Sequence, residues 1–399
     1  MPAKPRYAVG LDAGSAHTRC AICVVENGSI RYLGKGEIES IGWAKGRIAD
    51  PQAVSACIHS AVQQAEADAQ VAVDSLVLGV GGSSVDGANH HGIYEFGRPR
   101  EVTGDDLAYA ADRAARVRLE NDLSLLHVFL QDFTVDGRAG FRNPKGAACS
   151  RLEANVHILT VSSQEHDTLI RAVHQAHFGV EETVFEPVAS AYASVLPEDR
   201  NRGVALVDIG LHSTDLVVYD GDAVVVAKSM PICADHFTRD VAFGLKVSYE
   251  DAERLKREYG CAILGLTADN SLIEVPSMEG RPAREAPRRQ LNDILEARAE
   301  QLFLMLRAEL VKAGMEQSLF EGVVLTGGGA QLNGMCDMAE RVLNFQTRNG
   351  LPVGIEDWPE QLDNISWTAA AGLAMYSGRL KSKREWKPKA PGLVGLILR

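Results

Sequence analysis

Gly10-Leu11-Asp12-Ala13-Gly14-Ser15 and Asp208-Ile209-Gly210-Leu211-His212-Ser213-Thr214-Asp215 decide the reading of this 399-residue chain. Each stretch ends a short apolar run in an aspartate and a glycine, then passes into a second apolar run, at 20–25 and 216–219. Strand, tight polar turn, strand is the pattern of a β-hairpin. Glycine lets backbone approach a phosphate closely, and successive turn N–H groups can cradle an anion. A carboxylate beside such a turn can hold a magnesium ion through water. Two such hairpins facing each other would grip a nucleotide phosphate chain from both sides. A third element, Thr326-Gly327-Gly328-Gly329-Ala330, follows the apolar run 323–325 and is the expected seat of the nucleoside.

Working outward, the composition is that of a globular protein, 46% hydrophobic and 24% charged, long enough for two or more domains. The net charge of −12 argues against a general nucleic-acid binder. No run approaches the roughly 18 apolar residues of a spanning helix, and residues 1–7 carry no apolar signal region. Seven cysteines, an odd number, read as reduced thiols in a cytoplasmic setting. Cys20 and Cys23 lie inside a strand-like run and read as buried structural thiols rather than metal ligands.

Strands around Val9, Ile22 and residues 30–38, a helix opened by Asp50-Pro51, and a buried strand at 76–80 describe an α/β domain with helices packed on a sheet. Residues 82–162 interrupt it with their own rhythm of strands and a helix capped by Thr103, as an inserted subdomain. Residues 163–200 return to the first domain. A second domain, 201–365, carries an insert at about 231–320, and 366–380 is expected to pack back on the first. The duplicated hairpin is the internal symmetry of the chain.

These residues resemble the actin-like ATPase superfamily and, within it, the FtsA family of cell-division proteins. The narrower likeness lies in Asn143-Pro144-Lys145-Gly146, Arg151-Leu152-Glu153-Ala154-Asn155-Val156-His157, Glu186-Pro187-Val188-Ala189-Ser190-Ala191-Tyr192 and Asp251-Ala252-Glu253 with Lys256. The resemblance implies an actin-like two-domain fold of duplicated ribonuclease-H-like sheets with flanking helices and an FtsA-type inserted subdomain. It implies ATP and Mg²⁺ as ligands, with Asp12 and Asp208 on the magnesium side. Gly14, Ser15, Ala16, His17, Gly210, His212, Ser213 and Thr214 would line the phosphates. Gly327, Gly328 and Gly329 would lie under the adenosine, and Glu253 and Lys256 would reach ribose and adenine. Asp208 is the one candidate for orienting a water. The implied role is polymerisation with itself on the inner face of the cytoplasmic membrane at the division septum, anchoring FtsZ filaments and recruiting other division proteins. A pilus-assembly scaffold and a small-molecule kinase of the same superfamily are the alternatives; the kinase needs an acidic base that the motifs do not show.

Two departures stand out. Leu211-His212 replaces the family's usual Gly-Gly, so bulky side chains enter γ-phosphate space. Ala16-His17 replaces a hydroxyl and a base, which weakens a phosphate counter-charge because histidine is mostly neutral at pH 7. From residue 379 onward, seven basic residues stand against one acid. The stretch 381–399 ends in Leu393, Val394, Leu396, Ile397 and Leu398, an expected membrane-targeting tail, each Lys or Arg near an anionic surface contributing up to ~1 kcal/mol. The resemblance also implies that the insert receives the acidic tail peptide of FtsZ, and the charge of Arg281, Arg284, Arg288 and Arg289 fits that contact.

Overall fold

The computed structural model describes residues 6–26, 28–268, 270–276 and 282–383. Two five-stranded sheets share one connectivity. In the first, Arg6–Ala13 pairs antiparallel with His17–Glu26 and parallel with Ser75–Val80, flanked by Ser29–Glu39 and Gly179–Phe185. In the second, Val204–Ile209 pairs antiparallel with Thr214–Asp220 and parallel with Val323–Thr326, flanked by Ala223–Met230 and Thr347–Asn349. The edge strands Gly179–Phe185 and Thr347–Asn349 had no clear alternation in the sequence and emerge only from their pairing.

Each half adds a piece at a different point. In the first, the inserted subdomain follows the fourth strand: a sheet of Asp86–Glu101, Leu123–Val135, Arg138–Phe141 and Ala148–Ser162 carrying the helix Gly104–Ala115. Thr103 and Asp106 close that helix in a reciprocal capping box, which satisfies two otherwise orphaned N–H groups. In the second, helices Ala234–Leu245 and Tyr249–Tyr259 and the pair Leu272–Val275 with Arg284–Pro287 come before the crossover helix Arg288–Lys312. The short pair stands in a stretch whose prolines suggested loop. The crossover helix buries Leu291, Leu295, Leu302, Phe303 and Leu306 in the core of the second half, beside the helices Ala234–Leu245 and Met335–Leu343, each such side chain stabilising by about 1.5–3 kcal/mol.

Two helices tie the halves together. Thr368–Lys383 lies so close on the first strand that a Cβ at Gly10 would come within 2.3 Å of the Ala374 nitrogen. It crosses Glu186–Ser194 at equal intimacy, a Cβ at Gly372 falling 1.9 Å from the Ala189 carbonyl oxygen. From the other helix, Ser190 reaches the second half, its hydroxyl donating to Asp208 at 3.4 Å. The subdomain braces the second half as well: the Ala227 N–H donates to His157 Nε2 at 3.0 Å, and Arg142 donates to the Asp220 carbonyl at 2.9 Å.

Candidate functional site

The hairpin registers place Asp12 opposite Arg19 and Asp208 opposite Asp215, so both turns are four residues long, 14–17 and 210–213. They face one another across a cleft of about 580 Å³ between the halves, within the usual range for small-molecule sites. Their tips touch: His212 Nδ1 lies 2.9 Å from the Ser15 hydroxyl.

Four carboxyls from four elements converge on this cleft: Asp12, Glu186, Asp208 and Asp215. Thr326 supports Asp208 with a hydrogen bond of 2.9 Å, and Ser213 supports Asp215 at 3.1 Å. Burial pushes the Asp12 carboxyl up to about 7; Arg19 opposes the rise and Asp208 adds to it. Burial pushes Asp215 up to about 6, the Asp208 charge adding to it. Glu186 is raised well above its ordinary range, by burial first and then by Asp12, Asp215 and Asp208. The backbone is shaped to admit this crowd, since a Cβ at Gly81 would stand 2.7 Å from Glu186 Oε2 and 2.8 Å from Asp215 Oδ2. Like charges so close and so buried are stable only when protonated or matched by a cation. Among the described residues no group of three or more His, Cys, Asp or Glu can hold a metal directly. The acids therefore suit a hydrated magnesium ion shared with phosphate oxygens rather than a closed protein cage.

At the other end, Gly327 has φ +85°, and a Cβ there would press to 2.4 Å from Asp208 Oδ1. Gly328 faces open space, which leaves bare backbone toward the cleft. Beside it, Thr238 donates to Glu253 at 2.5 Å, and Lys256 reaches Glu253 at 2.6 Å and Thr238 at 2.8 Å. Burial pulls Glu253 upward, but Lys256 and the hydrogen bonds around it win and hold it below its ordinary value. Burial lowers Lys256, with Glu253 working against the drop.

Asp12, Gly14, Ser15, Ala16, His17, Asp208, Gly210, His212, Ser213, Glu253, Lys256, Gly327, Gly328 and Gly329 all line the cleft. Thr214 does not: it is fully buried, as is Thr18 at the equivalent place in the first hairpin. Side chains alternate along a strand, so Ser213 and Asp215 face the cleft and Thr214 faces the core. Burial and then Arg19 lower His17 from its ordinary value. Two residues on, on the same strand face, Arg19 also lines the cleft and adds a positive charge there, itself held by Glu37 at 2.8 Å. Arg19, Glu186 and Asp215 were not read as site residues, although Arg19 shares the strand face of His17 and Asp215 closes the quoted turn.

Two of the four arginines singled out in the insert hold helix ends. Arg284 donates to the Leu245 carbonyl at 3.2 Å and Arg288 to the Tyr259 carbonyl at 2.6 Å, each satisfying a helix C-terminus. Arg281 lies outside the described residues. So do Leu393, Val394, Leu396, Ile397 and Leu398. The last helix runs on to Lys383, and Lys381 within it pairs with Glu181 at 3.0 Å, so the fold retains part of the basic run. Both thiols of the Cys20/Cys23 pair are buried, and burial pushes them up, Cys23 to about 12.

The same fold occurs in solved structures. A chain of the PilM-PilN type IV pilus biogenesis complex superposes with a TM-score of 0.66 at 17% identity, over 93% of this chain and 98% of that one. MreB5 of Spiroplasma citri, bound to ADP, superposes with a TM-score of 0.58 at 13% identity, over 96% and 99%. Two sheets of one connectivity, closed on a cleft by paired hairpins, make this an actin-like ATPase fold.

Sequence narrows the class. The family model "Cell division protein FtsA" matches residues 205–372, and that of the SHS2 domain inserted in FtsA matches 82–160. Cell division protein FtsA of Pseudomonas aeruginosa is 31% identical over 369 residues, covering 92% of this chain and 88% of that protein. The chain belongs to the FtsA family of cell-division proteins.

Proposed function

We propose that the protein is an ATP-binding, actin-like cell-division protein that polymerises on the inner face of the cytoplasmic membrane, anchors FtsZ filaments and recruits other division proteins. The observation that carries this reading is the convergence of Asp12 and Asp208, on two turns of duplicated topology, at one cleft in a chain of the FtsA family. ATP would lie with its nucleoside against Gly327–Gly329, Glu253 and Lys256 and its phosphates between the turns. Magnesium would supply the positive charge that both the phosphates and the four carboxyls require. Glu186 and Asp215 are placed to orient a water, which extends the role first given to Asp208 alone. ATP acts chiefly through closure of the halves, because a ligand shifts a conformation only by binding one state better than another. Head-to-tail contacts between copies give open filaments.

Among the described residues no helix is long and apolar enough to cross a membrane. Attachment would rest on the basic and apolar residues that follow the last helix. Pelleting with anionic liposomes, for the full chain and for a chain lacking 388–399, tests this. Tail-dependent pelleting is expected; equal pelleting of both removes the tail's membrane role. A pilus-platform scaffold shares the fold, but the sequence match is to FtsA over most of the chain.

A further inference from the structure

We propose that His212 is a chain-length gate, whose bond to Ser15 closes the phosphate channel so that a nucleoside diphosphate fits with the gate shut and a triphosphate only by opening it. The inference rests on the nucleotide reading above. His212 Nδ1 and the Ser15 hydroxyl stand 2.9 Å apart, although 197 residues separate them in the chain. That is hydrogen-bond contact, and no phosphate group fits between two atoms so close. The contact joins the tips of the two turns, the place where the far end of a phosphate chain held between them must lie. Nothing equivalent comes from the first turn, where Ala16 occupies the matching position and has no reach.

The gate is held from behind. The Ala234 N–H donates to the Gly210 carbonyl at 3.0 Å, and the Asp235 N–H donates to the Leu211 carbonyl at 2.9 Å. These bonds pin the second turn to the helix Ala234–Leu245, whose Thr238 holds the Glu253–Lys256 pair at the nucleoside end. On the other side a Cβ at Gly46 would lie 3.1 Å from the His212 Cβ, so the turn at 43–48 packs against the base of His212. The backbone of the second turn cannot swing away alone. Opening must come from rotation of the His212 side chain or from separation of the halves. A third phosphate therefore competes with the imidazole for the Ser15 hydroxyl, and the number of phosphates is read as a change in how the halves are latched.

Calorimetry with Mg-ADP and Mg-ATP on the wild type, His212→Ala and His212→Gly tests the gate. Thermal unfolding of all three checks that the variants are folded. Both variants should bind ATP more tightly relative to ADP, by about fivefold or more, the worth of one hydrogen bond and the space it occupies. The ratio of the two affinities is the readout, because the gate closes beyond the last phosphate of ADP. A ratio unchanged in both variants overturns the gate and leaves the nucleotide reading standing. Failure of all three proteins to bind either nucleotide overturns both.

Discussion

The two hairpins are built alike and charged differently. In the first, Asp12 stands opposite Arg19; in the second, Asp208 stands opposite Asp215. An acid facing a base is balanced within its own hairpin, whereas two acids directly opposite repel. Support from the neighbouring strand is reversed. Asp208 receives the Thr326 hydroxyl at 2.9 Å, while beside Asp12 the bare Gly79 makes room for Glu186, whose Cγ would lie 2.9 Å from a Cβ at that glycine. Duplication thus set the frame, and the division of labour came from single side chains. The first hairpin brings a cation and a hydroxyl; the second brings excess negative charge and the imidazole that crosses the gap.

The largest expected effect comes from the glycine beneath the second hairpin, which the first hairpin lacks. Gly327→Val forces a branched side chain into φ +85° and against Asp208. The backbone strain alone is about 1–3 kcal/mol, with the clash in addition. Thermal unfolding should show a large loss of stability together with loss of nucleotide binding; a near-native midpoint would mean that the loop relaxes freely. The next effect compares the two basic residues of the first hairpin. Arg19→Ala should weaken ATP binding by roughly tenfold or more, the worth of a charge-assisted contact, whereas His17→Ala should change it by less than ~3-fold. Calorimetry on both variants decides it, and equal effects would return the counter-charge to His17.

The smallest effect is a pH dependence of the ligand-free protein. Asp12 and Asp215 are pushed up to about 7 and about 6 from an ordinary 3.8, so the folded chain binds more protons than the unfolded one. Stability then falls as pH rises from about 3.8 through about 7, and the full penalty is present above that window. Between pH 5 and 8 the unfolding midpoint should decline in the wild type and decline less in Asp12→Asn or with magnesium and nucleotide bound. An identical slope in Asp12→Asn would mean that other groups carry the effect.

Much of the site was legible because its chemistry is local. A turn needs glycine where backbone approaches a ligand, and Asp12, Asp208 and Gly327–Gly329 carry that requirement within a few residues of themselves. The sheets were legible where strands alternate or run continuously apolar, and less so at the edges 179–185 and 347–349. Arg284 and Arg288 show the opposite limit: their charge is plain in the sequence, while the helix ends they satisfy appear only in the structure.

The residue order by itself determined two hairpins of one design, the glycine loop that follows them and the inserted subdomain, because turn chemistry and hydrophobic period act over short spans. Only the tertiary structure decided which side chains share the cleft. Glu186 joins the acids, Arg19 joins His17, Thr214 turns to the core, and His212 meets Ser15. Those outcomes depend on strand register and on the crossing of the helices Glu186–Ser194 and Thr368–Lys383, which bring distant residues within a few ångströms and leave no mark in the local sequence.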